Sequence, residues 1–360
     1  MQTIDLRSDT VSHPTPAMRE AMFNAVVGDD VYGEDPTVNA LQEYAADLLG
    51  KEAALYCTSG TQGNVISVLT HCQRGDELIV GKQAHIFQWE AGAASVLGGI
   101  SMNTLPVHVD GTLSLDDIRL AIRADDSHLP RTRLICLENT QGGVGGVPIT
   151  ADYTAQVGEF AHSHGLQLHI DGARLFNAAA ALEVHPRELV KHADSVQICL
   201  SKGLCAPVGS LVVGSRDFIK RAHRNRKILG GAMRQAGVIA AAGLVALRDM
   251  RERMREDHDT AQLLTDGLAT IAGITLHPIS RRTNMVLFSI PESMNNDEFV
   301  AALKAKNIIL RGGPHFRAVT HYWITPAHIQ LVVETVRDFM AEHSQQVDQA
   351  ADIAAGQVIY

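Results

Sequence analysis

Several features that would mark out a specialised protein are missing from this sequence. Cysteine is scarce: there are 5 in 360 residues, an odd number, and none forms a C-x-x-C pair. Cys57, Cys136 and Cys199 sit in apolar runs that read as buried strands. The expectation is therefore reduced, buried thiols rather than a disulfide framework or a zinc site, and no metal is expected. Long apolar runs are missing too. The longest candidate, Val238 to Leu247, is about half of the ~20 residues that a bilayer span requires. The opening residues MQTIDLRSDT lack the basic patch and apolar core of a signal peptide. Cations are not in excess: Lys+Arg number 31 against 40 Asp+Glu, a formal net charge of −9. A nucleic-acid partner is not expected, because phosphate binding needs a concentrated positive face. No G-x-G-x-x-G opens a helix after a strand, which disfavours a nicotinamide dehydrogenase. Internal repeats are absent. These absences leave a cytoplasmic enzyme-sized protein with no membrane partner.

What remains is ordinary globular composition, with 46% hydrophobic and 20% charged residues. The length suits a large domain with a smaller one attached. From about residue 52 to 215, short apolar runs alternate with helical patterns. Strands are expected at Ala53–Cys57, Glu77–Val80, Ser101–Pro106, Arg133–Leu137, Gln167–Ile170, Ser195–Leu200 and Gly209–Val213. Continuous apolarity over that length suits strands covered on both faces. Helices are expected at Gly60–Cys72, Leu115–Arg123 and Ala151–His164. Strand–helix alternation argues for an α/β fold with a largely parallel or mixed sheet. Met233 to Thr270 reads as strongly helical. From about residue 273 a second, smaller α+β unit begins, with strands Asn284–Ile290 and Ile308–Leu310 and helices Asn296–Lys306 and Pro326–Ser344. The division expected is 1–250 for the N-terminal segment and large domain, 251–345 for the small domain, and 346–360 for a tail.

Four stretches carry chemistry. Lys202 follows the strand Ser195–Leu200 and precedes Gly203. Ligands of open α/β sheets bind at that carboxyl edge. A lysine partly withdrawn from water there is able to form a Schiff base. Asp171 ends another strand, so it projects to the same rim as Lys202. A buried carboxylate beside a pyridine nitrogen keeps that nitrogen protonated, as pyridoxal phosphate requires. Arg174, three residues on, suits an anionic oxygen; Asp171 and Arg174 could equally cap a helix. Thr58-Ser-Gly-Thr-Gln-Gly-Asn64 links a strand to a helix and offers N–H groups and hydroxyls to a phosphate. His85 could stack on a flat ring, although 17 histidines make any one of them a weak candidate.

The order of these stretches, from phosphate turn to histidine to Asp-Gly-Ala-Arg to Ser-Lys-Gly, resembles the fold-type I pyridoxal-phosphate enzymes. More narrowly, the chain resembles the low-specificity L-threonine aldolases of the β-eliminating lyase family over about residues 4 to 340. Distinctive strings are Asp5-Leu-Arg-Ser-Asp-Thr-Val11, Val27-Gly-Asp-Asp-Val-Tyr-Gly-Glu-Asp-Pro36, Asp171-Gly-Ala-Arg-Leu-Phe-Asn177, Cys199-Leu-Ser-Lys-Gly203, Gly230-Gly-Ala-Met-Arg-Gln-Ala-Gly237 and Arg317-Ala-Val-Thr-His321. The resemblance implies an aspartate-aminotransferase-like large domain with a mainly parallel seven-stranded sheet. It implies pyridoxal 5′-phosphate held by Lys202, with Asp171 at the ring nitrogen, His85 stacked on the ring, and Gly60 and Thr61 at the phosphate. Ser8, Arg174 and Arg317 would hold the substrate carboxylate, with Arg317 supplied by the small domain. Tyr32, Lys227 and Arg234 would reach the neighbouring subunit's site, giving a dimer of shared sites, commonly paired into a tetramer. The reaction implied is cleavage of a β-hydroxy-α-amino acid to glycine and an aldehyde. Its base is His85, His128 or a bound water. A β-eliminating lyase, a racemase or a silent scaffold of the same fold are the alternatives. The sequence departs from the family pattern at Gln141, Phe87, Trp89, Cys205 and Leu310 to Phe316, which bears on the aldehyde side of the pocket.

Overall fold

A computed structural model of the chain describes residues 3–279 and 283–356, with side-chain surroundings as far as residue 343. In chain order its strands are β1 (Ile4–Asp5), β2 (Ala53–Cys57), β3 (Asp76–Gly81), β4 (Ser101–Leu105), β5 (Arg131–Glu138) and β6 (Gln167–Asp171), followed by β7 (Ser195–Cys199), β8 (Ser210–Gly214), β9 (Thr275–Leu276), β10 (Met285–Ser289), β11 (Ile308–Ile309) and β12 (Phe316–Val319).

The chain divides into two compact units. The larger takes Ser12–Arg255 and Ile279–Thr283; the smaller takes Met1–Val11, Glu256–Pro278 and Asn284–Tyr360. In the larger unit, seven strands form one sheet in the order β2-β8-β7-β6-β5-β3-β4. Only β8 runs antiparallel to its neighbours. Every residue of β7 and β8 is buried, so helices cover both faces of the sheet there. That double burial puts Val196, Ile198, Leu211, Val212 and Val213 in the core and leaves the polar Ser195, Gln197 and Ser210 buried among them. The helix Gly60–His71 packs on β7 and β8, and Pro36–Leu49 packs on β2 and β8. Asp35 caps the second of these helices through the Thr37 and Val38 N–H groups, Pro36 opens it, and Gly50 ends it in the left-handed region at φ 65°.

The smaller unit holds two sheets. β1 pairs in parallel with β11, and β10 lies between β12 and β9 in an antiparallel sheet. Phe288, Phe299, Phe316 and Phe339 interlock in its core, with the Phe288 and Phe316 rings stacked at 5.3 Å. The β1–β11 pairing builds the first residues of the chain into this smaller unit. The sequence division at 250/251 differs from the structural one there, because a two-residue strand leaves no periodic pattern to read. The helical stretch expected from Met233 to Thr270 is two helices, Gly237–Arg248 and Met254–Ala269, joined by a 3₁₀ turn at Met250–Arg253. The helix Pro326–Gly356 runs through most of the segment set aside as a tail; residues 357–360 lie outside the described residues.

Candidate active site

The sheet register levels the chemistry. Ser210 of β8 pairs with both Cys57 and Cys199, so β2 and β7 end side by side. Asp171 pairs with Gln197 on one side and Glu138 on the other. The carboxyl ends of β2, β7, β6 and β5 thus form one edge. From it emerge the Thr58–Thr61 turn, Lys202, Asp171 and Glu138.

Lys202 is fixed by its main chain. Its carbonyl accepts from the Ser12 hydroxyl at 2.7 Å and from the Cys205 N–H at 2.9 Å. Cys205 takes a left-handed backbone, φ 65°, in the place where the family pattern has glycine. Lys202 is near enough to His85, Glu138 and Cys199 to act on their ionisation.

Asp171 is 1% exposed. Its Oδ1 accepts from the Ala173 N–H at 3.1 Å and its Oδ2 from the Asn64 amide at 2.8 Å. Asn64, on the helix Gly60–His71, also donates to Oε1 of Glu90 at 2.8 Å. Glu90 in turn meets Nδ1 of His85 at 2.9 Å. Ligand atoms of His85, Glu90 and Asp171 lie within 4.8 Å of one another, but Asn64 already bridges the two carboxylates, so the group is a hydrogen-bond network. The bond to Glu90 raises the His85 pKa, and burial raises that of Glu90. Glu138 accepts from the His85 main-chain N–H at 2.8 Å and from the Gly142 N–H at 3.0 Å. Burial, with Asp171 next to it, pushes its carboxyl up to about 7.

The Thr58–Thr61 turn leads into a helix N-terminus brought close to the strand ends. Ser59 caps it, its hydroxyl accepting from the Gln62 N–H at 3.1 Å. Gly60 permits the approach, since a Cβ there would stand 2.7 Å from Cys199 Sγ. Gly231 lies against the Gln62 side chain, which brings the Gly230–Gly237 segment to the same turn.

Arg174 occupies the position before the helix Leu175–Leu182, close to Gly142. Arg234 pairs with Asp29 at 2.8 Å and lies 5.9 Å from the Tyr32 ring centre, and Tyr32 is 73% exposed. Arg226 and Asp30 form a buried pair beneath them at 2.8 Å, which pins the loop to the helix Arg216–Ile228. Lys227 is exposed on that helix. Ser8 and Arg317 belong to the smaller unit. Ser8 accepts from the Thr10 N–H, and Arg317, on β12, donates to the Arg7 carbonyl at 3.5 Å. His128 stands on an exposed loop, where its ring bonds Asp126 at 2.8 Å; no contact joins it to the Lys202 cluster among the described residues. Gln141, at a position of departure, donates to Glu138 and accepts from the Gly143 N–H.

Sequence reasoning passed over Asn64, Glu90, Glu138 and His169. Glu138 had a readable signal: it ends an apolar strand as Asp171 does. Glu90 and Asn64 had none, since only the fold brings them beside His85 and Asp171.

The β-eliminating lyase family matches residues 5–291. A low specificity L-threonine aldolase of Escherichia coli is 46% identical over 338 residues, covering 94% of this chain and 99% of that protein. The chain belongs to the β-eliminating lyase family. Within the family, low-specificity L-threonine aldolase 1 of Arabidopsis thaliana is 47% identical over 347 residues, covering 94% of this chain and 97% of its own. A solved threonine aldolase of Leishmania major superposes with a TM-score of 0.81 at 20% identity, covering 94% of this chain and 99% of that one, which shows the shared fold. That fold is the one found here: a mixed, mostly parallel seven-stranded sheet with a smaller α+β unit.

Proposed function

We propose that this protein is a pyridoxal-phosphate-dependent aldolase that cleaves L-threonine, L-allo-threonine and related β-hydroxy-α-amino acids to glycine and an aldehyde. The observation that carries the reading is the buried Asp171 carboxylate, oriented by Asn64 at the sheet edge beyond which Lys202 follows β7, with both residues near His85. The donor set fits the cofactor. A helix N-terminus with Gly60 and Thr61 suits a phosphate. The Asp171 carboxylate suits a protonated ring nitrogen, the half-buried His85 imidazole suits a ring face, and Lys202 supplies the amine that holds the aldehyde. The bound ring supplies an electron sink for the pair left at Cα.

The chain's own residues do the rest. Asp171, already desolvated, would face the ring nitrogen without the cost of stripping water during the reaction. Arg174 and, from the smaller unit, Ser8 and Arg317 are proposed for the substrate carboxylate, as a planar guanidinium matches it in two-point contact. A base takes the β-hydroxyl proton as the Cα–Cβ bond breaks and the aldehyde C=O forms; His85 is favoured over His128 by its place in the cluster. We extend the proposal to a cytoplasmic homo-oligomer, a dimer of shared sites paired into a homotetramer. The exposed Tyr32 and the Asp29–Arg234 pair beside it support that extension, and Lys227 is exposed on the helix that the Arg226–Asp30 pair ties to the same loop.

The test is product analysis. The holoenzyme is incubated with L-threonine, L-allo-threonine and β-phenylserine. Glycine with acetaldehyde or benzaldehyde is expected, and Lys202→Ala should abolish both. Ammonia and a keto acid would move the reading to β-elimination, and a D-amino acid would move it to racemisation. No turnover of any amino acid by protein that has taken up the cofactor would leave a silent scaffold.

A further inference from the structure

Glu90 is used by none of the roles above, yet it is 4% exposed and sits five residues from His85 in the same turn. Its Oε1 is shared between two donors, the Asn64 amide at 2.8 Å and His85 Nδ1 at 2.9 Å. Chemistry fixes the protons throughout this network. Two carboxylates, Glu90 and Asp171, face the same end of the Asn64 amide, so that end is the NH₂ group. Asn64 Oδ1 therefore faces His169 at 3.1 Å and must receive a proton from His169 Nε2. His169 Nδ1 is then the acceptor for the Ser195 hydroxyl at 2.8 Å. The Ser195 oxygen accepts in turn from His71 Nε2 at 2.8 Å. Burial depresses both rings, His169 to about 4 and His71 to about 3, so each is neutral and able to play the part assigned.

The same logic runs the other way from Asn64. Glu90, an acceptor, requires a proton on His85 Nδ1. The neutral His85 ring must then leave Nε2 unprotonated. Among the described residues Nε2 has no hydrogen-bond partner. A histidine side chain in water carries its proton mostly on Nε2, so this is the less common arrangement, held by a neighbour. The backbone of the turn is held separately, by Glu138 on the His85 N–H. The ring orientation is thus the task left to Glu90.

We propose that Glu90 is a positioning residue that locks His85 in the Nδ1–H form, so that Nε2 is the atom free to take the β-hydroxyl proton. Asn64 makes the lock firm, because its other proton is committed to Asp171. This deepens the aldolase reading and rests on it for the proton's destination, but the lock itself is a property of the chain. The charged and titratable groups facing His85 are Glu90, Asp171, Lys202 and Glu138. The two carboxylates Glu90 and Asp171 favour the imidazolium and Lys202 opposes it.

The experiment is nitrogen-15 NMR of histidine-labelled holoenzyme, with the His85 signal assigned by its loss in His85→Phe. Wild type should show the Nδ1–H form in the neutral ring. Glu90→Ala should move His85 towards the Nε2–H form and lower kcat by tenfold or more with little change in KM. Glu90→Gln keeps an acceptor oxygen without the charge. It should keep the Nδ1–H form while the pH at which the ring takes its second proton falls by about one unit or more. If Glu90→Ala does not fold, the Glu90→Gln titration decides. A neutral His85 ring unchanged in Glu90→Ala, or an unmoved titration in Glu90→Gln, overturns the proposal. The tautomer is read from the resonance alone, so a different reaction product would overturn the aldolase reading without touching the lock.

Discussion

His85 and His128 entered as equal candidates for one proton-transfer role, and the structure builds around them in opposite ways. The ring of His85 is bonded to a carboxylate whose side chain is 2% exposed, and its main-chain N–H is bonded to a second carboxylate, the half-buried Glu138. His128 meets Asp126 across two residues of one loop, with the two side chains 88% and 53% exposed. The distances are nearly the same, 2.9 and 2.8 Å. What differs is what else each carboxylate does. Asp126 is held by the His128 N–H in the same turn, and water competes for the pair. Glu90 is held by Asn64, which is held by Asp171 and His169 across the sheet edge. A contact inside a closed network keeps its geometry without further ordering at the moment of reaction. A short distance therefore says little about function until its surroundings are counted.

The comparison can be broken most forcefully at Asp171. Asp171→Asn keeps the size and removes the charge. Turnover should fall by orders of magnitude with some cofactor retained, and steady-state kinetics with threonine measures it. Undiminished turnover would reduce the buried cluster to scaffolding. Next in size is the pair of ring substitutions. His85→Phe keeps a flat ring and should retain the cofactor absorbance while kcat falls by about 10²–10⁴-fold, the value of general base catalysis. His128→Phe in the same assay should stay within a few-fold of wild type. The reverse result would hand the role to the exposed loop.

A stability measurement sharpens the contrast further. Asn64→Leu leaves two buried carboxylates short of a donor, which should cost about 3 kcal/mol in denaturant unfolding with an unchanged m-value. Asp126→Ala, in the exposed loop, should leave the midpoint where it was. The neutral histidines give a pH signature. His169 and His71 are depressed in the fold to about 4 and about 3, below the ordinary value of 6.5. The unfolded chain binds those protons first, so their contribution is complete above pH 6.5 and is lost as the pH falls towards 4. For His169 this is on the order of 3 kcal/mol. Glu138, raised to about 7, acts in the opposite sense over the same range, since it favours the fold at low pH. The His169→Gln variant isolates the effect: its unfolding midpoint should change less between pH 7 and 4.5 than that of wild type.

Much of this was legible in the sequence. Each of the seven strands appears within two residues of where it was expected, although β4, Ser101–Leu105, is neither continuously apolar nor buried on both faces. Lys202 and Asp171 could be placed on one rim because each follows such a strand. The smaller unit was harder to read. β1 and β9 are two residues long and β12 four, and none of the three was expected, although Gly312-Gly313-Pro314 marks a turn just before β12. Asn64 and Glu90 lie 26 residues apart, and their partnership depends on where a helix packs. His128 illustrates the converse. A motif match brought it forward, and among the described residues its hydrogen bonds run to Asp126 of its own loop.

The loop that carries Lys202 has one further consequence. Its main chain is pinned from both sides, by Ser12 and by the Cys205 N–H, while no hydrogen bond ends on its ammonium among the described residues. The residue is a hinged arm on a fixed post. The role proposed for Lys202, to let go of one partner, stand aside for the incoming amine and return afterwards, needs both properties at once. Loosening the post would spread the arm's resting positions, so Ser12→Ala should slow the recapture of the lysine between turnovers more than it weakens the protein.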